Sequence, residues 1–381
     1  MRYPFPSLAI TGLLLVGAAC TQNDSNGDVG ALKVRSTDDA CEVSSSEAPS
    51  GNVVFEVTND GSQVTEFYVL AEDGLRIIGE VENVGPGISR NLVVQAGPGS
   101  YFTACKPGMV GDGIRSAFTV TDSGVAVASG DVASLLATAT DQYALYVRDQ
   151  VGQLVTATQQ FAALYAAGGD DEARALYAPA RMHWERIEPV AESFGDLDPK
   201  LDLREADLEA GQSWTGWHAI EKDLWPPSAG YTALTPAQRT ALANQLVADT
   251  TDLSIRVQDL KYDATKIGNG AKELLDEVAT GKVTGEEEIW SHTDLWDFQA
   301  NVDGARIAFE NLRPALETKN TALATTLTAR FAALQTLLDQ HVDGDGFVLY
   351  TDLTPGEIKA LADAVNALSE PLAELTAAVV L

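Results

Sequence analysis

The sequence predicts a multi-domain chain, an all-β sandwich followed by an all-α helical bundle. In residues 31–122, short runs of alternating apolar and polar residues are separated by turn residues, which is typical of an antiparallel sandwich. In residues 139–381, long runs rich in Ala and Leu repeat their apolar residues three and four apart, which predicts a helical bundle. The small residues of 123–138 predict a linker between the two domains.

The composition restricts the classes of partner. The 381 residues include 55 Asp+Glu and 25 Lys+Arg, which gives a formal net charge of −30 at pH 7. This charge repels a phosphate backbone, so we expect no nucleic-acid partner, and it disfavours an anionic membrane surface. The 45% of hydrophobic residues excludes a wholly disordered chain. An acidic protein instead concentrates cations around itself.

Residues 1–19 predict an export signal. Arg2 precedes an apolar run at positions 8–19 that is too short for a stable membrane span. The small residues before Cys20 resemble a bacterial lipobox, so we expect cleavage there and acylation of Cys20. Because Gly17 stands where an aliphatic residue is usual, ordinary cleavage after Ala19 is the alternative. Both predict an exported protein, periplasmic or on the outer face of the cytoplasmic membrane. The acylated form contacts the membrane only through its lipid anchor.

Several short segments of residues 31–122 carry the strand pattern. Val53, Phe55 and Val57 alternate with polar residues, and the Asn-Asp-Gly sequence at 59–61 then predicts a turn. The other predicted strands have the same character and cover residues 67–70, 76–78, 91–95 and 117–121.

The predicted bundle consists of long segments in which strong helix formers dominate. The segments cover residues 143–167, 172–194, 236–267, 297–316, 320–341 and 354–379.

Two stretches of the bundle place metal-binding side chains on one helix face. Glu185 and Glu188 are three residues apart, so their carboxylates share a face. His218 and Glu221 have the same spacing, which metal sites in helical bundles also use. Aromatic neighbours such as Trp217 indicate burial, and buried charges need partners. Each stretch alone also fits a solvated acidic face or a hydrogen-bonded core histidine, but together they favour a metal site.

A third stretch combines acidic and aromatic residues. The acids at 286–288 precede His292, Asp294 and Asp297. Surface charge is the alternative for 286–288, and a position in the first turn of a helix capped by Ser291 or Thr293 is the alternative for Asp294. The chain has no His-Glu-x-x-His helix, nucleophile elbow, phosphate loop or dinucleotide fingerprint.

The chain has 3 Cys. If Cys20 is acylated, Cys41 and Cys105 remain in the sandwich. An exported domain can join them in a disulfide, or they can be two soft ligands of one metal. Their spacing does not decide between the two.

The motifs of the bundle resemble those of a known family. The stretches at 183–192, 216–221 and 291–302, together with the order of signal, sandwich and bundle, are similar to the EfeO family of the EfeUOB-type iron-uptake systems. The resemblance implies a cupredoxin-like sandwich and an imelysin-like bundle. It also implies a non-enzymatic, extracytoplasmic protein that captures Fe2+ or Fe3+ and delivers it to an EfeU-type iron permease, with an EfeB-type haem peroxidase as a further partner.

The resemblance also implies two sets of ligands. In the bundle it implies iron ligands at Glu185, Glu188, Asp202 and Glu287, the last chosen from the run 286–288, and a second motif at His218 and Glu221. In the sandwich it implies copper or iron at Cys41, Glu66 and Cys105. The sandwich contains no histidine, so the His-rich copper site of an electron-transfer protein cannot form there.

Two other functions are alternatives. Imelysin-like bundles are also classed with metallopeptidases, but His218 and Glu221 supply two ligands on one helix and a catalytic zinc needs three. The other alternative is a surface adhesin or ligand-binding lipoprotein that uses the bundle without a metal. We therefore expect iron transport without enzymatic activity.

Overall fold

The N-terminal domain is a sandwich of two sheets. The computed structural model describes Met1 and residues 30–70, 72, 77–109, 113–124 and 131–381, so the predicted signal 1–19, apart from Met1, and Cys20 lie outside the described residues. The strands are β1 (Leu32–Ser36), β2 (Cys41–Val43), β3 (Glu47–Pro49), β4 (Gly51–Asn59), β5 (Thr65–Leu70), β6 (Ile77–Val84), β7 (Ser89–Ala96), β8 (Gly99–Cys105) and β9 (Ile114–Thr121).

The two sheets have the strand orders β2-β1-β4-β7 and β3-β9-β8-β5-β6. The alternation of β4 buries Val53, Phe55 and Val57 between the sheets. There the ring of Phe55 packs on Phe67 and Phe118, with centroid distances of 5.2 and 5.5 Å. The predicted antiparallel arrangement is wrong for two pairs, since β1 with β4 and β3 with β9 run parallel. Other strands separate the members of each pair along the chain, which parallel pairing requires.

The C-terminal domain is helical. Its helices are α1 (Asp131–Ala167), α2 (Asp170–Glu185), α3 (Leu197–Asp202), α4 (Trp217–Leu224), α5 (Pro236–Asp259), α6 (Ala264–Thr280), α7 (Asp294–Lys319), α8 (Thr321–Leu338), α9 (Pro355–Leu372) and α10 (Leu375–Val380). A short hairpin, β10 (Val342–Asp343) with β11 (Gly346–Phe347), joins α8 to α9. Among the helices that the structure describes, none combines the length and the hydropathy that a membrane span requires.

Several helix boundaries differ from the predictions, and the predicted helix 354–379 divides into α9 and α10. Helix α1 begins at Asp131, inside the predicted linker 123–138, and its first buried residue is Ala139, so the apolar periodicity starts later than the helix. The predicted helix 172–194 divides after α2, and the 3-10 segment Glu188–Phe194 follows with Pro189 near its start. The predicted helix 236–267 divides before α6, whose first turn is capped by Asp263 accepting the Lys266 N–H at 2.8 Å.

Sandwich and bundle form one compact unit from Ala31 to Leu381. Helix α6 lies against β6 and β7. Asn269 of α6 donates its side-chain amide to Val93 O at 3.0 Å, and Thr265 Oγ1 accepts the Gln95 N–H at 3.1 Å. The contact between the domains therefore includes specific hydrogen bonds to the backbone of β7.

Candidate metal centre

Ionisable side chains meet in the middle of the bundle. They come from the end of α2, the segment after it, α3, α4 and the turn before α7: Glu185, Glu188, Asp202, His218, Glu221, Glu287 and Glu288. Two glycines permit this convergence, because a Cβ at Gly270 would overlap Pro189 O and a Cβ at Gly304 would overlap Arg186 O. Helices α6 and α7 can thus approach the segment between Glu185 and Glu188.

Arg181 lies in the midst of these carboxylates and is completely buried. It forms ion pairs with Glu185 and Asp202. Its Nε lies 2.7 Å from Glu288 Oε1, and its Nη2 lies 3.4 Å from Asp297 Oδ2. Burial lowers the pKa of Arg181, but the surrounding carboxylates outweigh it and raise the pKa well above its ordinary value. Arg181 is therefore a fixed positive charge.

Lys282 is a second buried cation. Its Nζ donates to Glu185 Oε2 at 2.8 Å and to Glu188 Oε2 at 2.7 Å. Asn301 of α7 donates its side-chain amide to the same two oxygens, at 2.9 and 2.6 Å. In this structure Glu185 and Glu188 thus share one cation and one amide donor supplied by the protein itself.

His218 is the point where two groups of possible ligands meet. Its Nε2 lies 3.4 Å from Asp202 Oδ1 and 3.5 Å from Glu287 Oε1. Its Nδ1 lies 3.4 Å from Glu221 Oε2 and 3.8 Å from Glu288 Oε1. Within each group, Asp202–His218–Glu287 and His218–Glu221–Glu288, the candidate ligand atoms lie within 4.8 Å of one another. Nε2 is buried and has no hydrogen-bond partner among the described residues. A metal ion between Nε2 and the two carboxylates would give this nitrogen a partner.

Hydrogen bonds orient the carboxylates of the second group. Glu221 Oε1 accepts the backbone N–H groups of Trp290 and Ser291 at 3.0 and 2.7 Å. Glu288 accepts the hydroxyl of Tyr177 at 3.2 Å and that of Ser291 at 2.9 Å. Such supporting bonds fix the direction of a metal-binding side chain.

The centre binds protons tightly. Burial and the charge of Arg181 lower the pKa of His218, but the nearby carboxylates of Asp202, Glu221 and Glu287 outweigh them and raise it well above its ordinary value. Burial raises the pKa of Asp297 to about 8. Burial and the neighbouring Glu221 also raise the pKa of Glu288 well above its ordinary range. Without another cation, the site therefore compensates its excess of carboxylates with protons, Arg181 and Lys282.

The structure brings together most of the bundle residues that the sequence analysis singled out. Asp202, His218, Glu221 and Glu287 lie within the two groups around His218. Glu185 and Glu188 lie beside them but contact Lys282 instead.

Sequence reasoning missed Arg181 and Lys282, and within the run 286–288 it chose Glu287 without Glu288. Glu288 belongs to the acidic run at 286–288. The sequence of this run does not show which of its three side chains point into the bundle. No local pattern in the sequence predicts that Arg181 and Lys282 are buried.

The predicted sandwich site of Cys41, Glu66 and Cys105 is not formed in this structure. Cys41 and Cys105 are joined in a disulfide, so neither sulfur is a free thiolate. Cys105 lies opposite Phe67 in the strand register and shares its core face. Because side chains alternate along a strand, Glu66 faces the other side of the sheet, where it accepts the Tyr68 hydroxyl at 2.7 Å.

Comparison with known proteins agrees with this architecture. Residues 8–120 match the family described as cupredoxin-like domain, and residues 139–375 match the family described as imelysin. The molecule thus belongs to the class in which a cupredoxin-like domain precedes an imelysin-type bundle.

The iron uptake system component EfeO of Escherichia coli (strain K12) is 36% identical over 351 residues, which cover 91% of each chain. The proteins of that name from Escherichia coli O157:H7 and Shigella flexneri are equally similar, at 36% identity over 91% of each chain. The chain belongs to the EfeO family of iron uptake system components.

Proposed function

We propose that this protein captures Fe2+ or Fe3+ in the centre of its bundle and delivers it to a membrane permease. The observation that carries the proposal is the position of His218, whose ring lies between two pairs of carboxylates, each close enough to His218 to hold one ion with it. The relatives' description as iron uptake system components supports iron as the cargo.

The donor set suits iron. Carboxylate oxygens prefer hard cations, and one imidazole is compatible with iron in either oxidation state. We propose Asp202, His218 and Glu287 as the first ligands, since Asp202 and Glu287 also line a cavity of about 510 Å³ through which an ion can enter. Glu221 and Glu288 form the alternative or later group. Glu185 and Glu188 can become ligands only by releasing Lys282.

The location and partners are parts of the same proposal. Export by the signal at 1–19, with acylation of Cys20, would hold the protein at the outer face of the cytoplasmic membrane. An EfeU-type permease would receive the iron there, and an EfeB-type haem peroxidase would act in the same system. Copper or iron at Cys41 and Cys105 would require the disulfide to be reduced first.

A metallopeptidase is the second candidate. Together, Asp202, His218 and Glu287 supply the three protein ligands that a catalytic zinc requires. The burial of His218 and Glu221 argues against it, because a peptide bond must reach the metal. Peptide hydrolysis that a chelator abolishes would favour this candidate.

The chain offers a matched pair of variants to test the proposal. Glu287→Gln removes a proposed ligand, whereas Glu286→Gln changes the exposed neighbouring acid in the same run. We expect calorimetry with ferrous iron under anaerobic conditions to show binding to the wild type and to Glu286→Gln, and strongly weakened binding to Glu287→Gln. Equal affinity of the two variants, or no binding to the wild type, would contradict the proposal.

A further inference from the structure

Arg204 stands beside the proposed metal centre, on the side of the cavity. It follows Asp202 by two residues and lines the cavity of about 510 Å³ together with Asp202 and Glu287. Its side chain is 32% exposed, whereas those of Arg181 and Lys282 are completely buried. An arginine keeps its charge throughout the physiological pH range. An ion that enters from the cavity therefore meets the positive charge of Arg204.

Glu287 connects Arg204 with the other proposed ligands. Its Oε1 lies 3.5 Å from Nε2 of His218, and its Oε2 lies 3.5 Å from Nη1 of Arg204. An ion held by Asp202, His218 and Glu287 would bring positive charge close to the guanidinium group. Because like charges repel each other, the bound ion would drive Arg204 away from Glu287.

Asp207 offers the guanidinium group a second position. The Nε of Arg204 donates to Asp207 Oδ2 at 2.9 Å. That is an ordinary length for an N–H···O hydrogen bond, whereas the 3.5 Å contact with Glu287 is longer than most. Asp207 also lines the cavity, and its side chain is 46% exposed. Arg204 can therefore leave Glu287 while it keeps its contact with Asp207.

The backbone around Arg204 is held on both sides. Trp214 donates its Nε1–H to Leu203 O at 2.6 Å, and Glu205 forms an ion pair with Lys222. Exchange of the guanidinium group between the two carboxylates therefore needs rotation of one side chain and no movement of the segment. Exposed side chains change rotamer within picoseconds to nanoseconds, so such a rotation is fast enough to accompany the entry of an ion.

We propose that Arg204 is a gate of the metal centre, a positioning residue that acts through Glu287. In the metal-free protein it contacts Glu287, and it turns to Asp207 when an ion enters. The contact with Glu287 must break before the ion binds, so the gate slows the association of the ion. This inference rests on the proposed function, since it requires a cation at Asp202, His218 and Glu287.

The test measures the rates of iron binding to the full chain. Ferrous iron is mixed with the protein under anaerobic conditions, and tryptophan fluorescence is followed by stopped flow. Trp184 donates its Nε1–H to Asp202 Oδ2 at 2.7 Å, so iron at Asp202 should quench its emission. We expect association with Arg204→Gln to be about 5-fold faster than with the wild type, the effect expected of one partly exposed ion pair. The dissociation rate should change less.

Arg174→Gln is the matched control. The side chain of Arg174 is 34% exposed and pairs at 2.9 Å with Asp171, three residues away, as Arg204 pairs with Asp207. Among the described residues, those that line the cavity do not include Arg174. Association with this variant should be as slow as with the wild type. Equal acceleration in the two variants would overturn the proposal, because the change in net charge would then account for both.

Asp207→Asn tests the second position of the guanidinium group. It leaves Arg204 in contact with Glu287, so association should be slower than with the wild type. Loss of an acid from the cavity would also slow association, but it would do so whether Arg204 is present or not. We therefore expect the double variant Arg204→Gln with Asp207→Asn to bind as fast as Arg204→Gln. A double variant slowed by the same factor as Asp207→Asn would overturn the gate.

The outcomes separate the gate from the proposed function. Wild-type rates in Arg204→Gln, together with lost binding in Glu287→Gln, would overturn the gate alone. Absence of iron binding to the wild type would overturn both. If Arg204→Gln lacks the circular dichroism of the wild type, Arg204→Met replaces it, since methionine retains much of the aliphatic stem. That variant must show the same acceleration.

Discussion

The Nζ atom of Lys282 lies 2.8 Å from Oε2 of Glu185 in the interior of the bundle, where both side chains are completely buried. The same ammonium group binds Glu188. A metal ion in this region would bring positive charge to carboxylates that already have a cationic partner. The metal-free state is thus stabilised by internal cations, and iron binding must compete with them or use the remaining carboxylates around His218.

Replacing Lys282 tests this role. Lys282→Met leaves Glu188 without its cation and Glu185 with Arg181 alone, so we expect the free energy of unfolding of the metal-free protein to fall by about 3–5 kcal/mol. Ferrous iron should restore part of this loss, since it supplies positive charge near the same carboxylates. Chemical denaturation with and without iron measures both effects.

Lys359→Met is the control, because Lys359 forms an exposed ion pair with Asp363. That change should lower the stability by less than about 1 kcal/mol, with or without iron. Equal losses in the two variants would show that Lys282 does not have this role.

Replacing His218 tests the metal centre. We expect His218→Asn to weaken iron binding about 100-fold or more, since changes to supporting residues alone cost about 10- to 100-fold in metal affinity. His183→Asn is the matched control, because His183 lies on α2 and contacts Gln150 at 3.0 Å, away from the carboxylate groups. Calorimetry on both variants decides; a comparable loss in the control would mean that the effect is not specific to the ligand.

Iron affinity should depend on pH. The free site holds protons on Asp294, whose pKa burial raises to about 6, and on Asp297, whose pKa burial raises to about 8. The raised pKa of His218 adds a further proton. Because the free protein holds more protons than the iron-bound one, affinity should rise as the pH increases from 6 to 8. Competition with a chelator at fixed free iron measures this slope.

Asp297→Asn removes one titrating group and should flatten the slope. An affinity that is constant over this pH range in the wild type would show that iron does not displace protons from the centre.

Gly270 tests the close approach of α6 to the ligand-bearing segment. Alanine at this position would overlap Pro189 O, so Gly270→Ala should cost about 1–3 kcal/mol of stability. Gly152→Ala is the control, because a Cβ there meets nothing within 4 Å. In the middle of α1 that substitution should stabilise by about 0.5–1 kcal/mol. Thermal unfolding of the two variants measures the contrast, and similar shifts would contradict it.

The Cys41–Cys105 disulfide should stabilise the sandwich. It closes a long loop, with a sequence separation of 64 residues, so replacing both cysteines by serine should cost about 2–4 kcal/mol. Iron binding in the bundle should persist, since the disulfide lies in the core of the sandwich. Loss of iron from this variant while it remains folded would instead assign the iron to the cysteines.

The sequence predicts the fold where a local pattern is strong. The alternation of Val53, Phe55 and Val57 identifies β4, whereas β1 contributes only Leu32 and Val34 to the core and is too short for a clear period. Parallel pairing of β1 with β4 is a non-local property that no single segment encodes.

In the candidate metal centre, too, local features could be predicted from the sequence and non-local ones could not. The spacing of His218 and Glu221 is local, and both residues lie in the centre. Lysine is almost never buried, so the position of Lys282 follows only from the carboxylates that other elements bring to it. Glu286 and Glu287 differ by one position, yet one is exposed and the other is buried, because the backbone turn before α7 decides their directions.

Iron capture at His218 is tested by the position of iron in crystals loaded with ferrous iron, measured by anomalous scattering at the iron absorption edge. We expect a peak between Asp202, His218 and Glu287, in contact with at least one carboxylate oxygen and the ring of His218. Iron found only at other residues of the protein, or no bound iron in crystals of a protein saturated in solution, would contradict it.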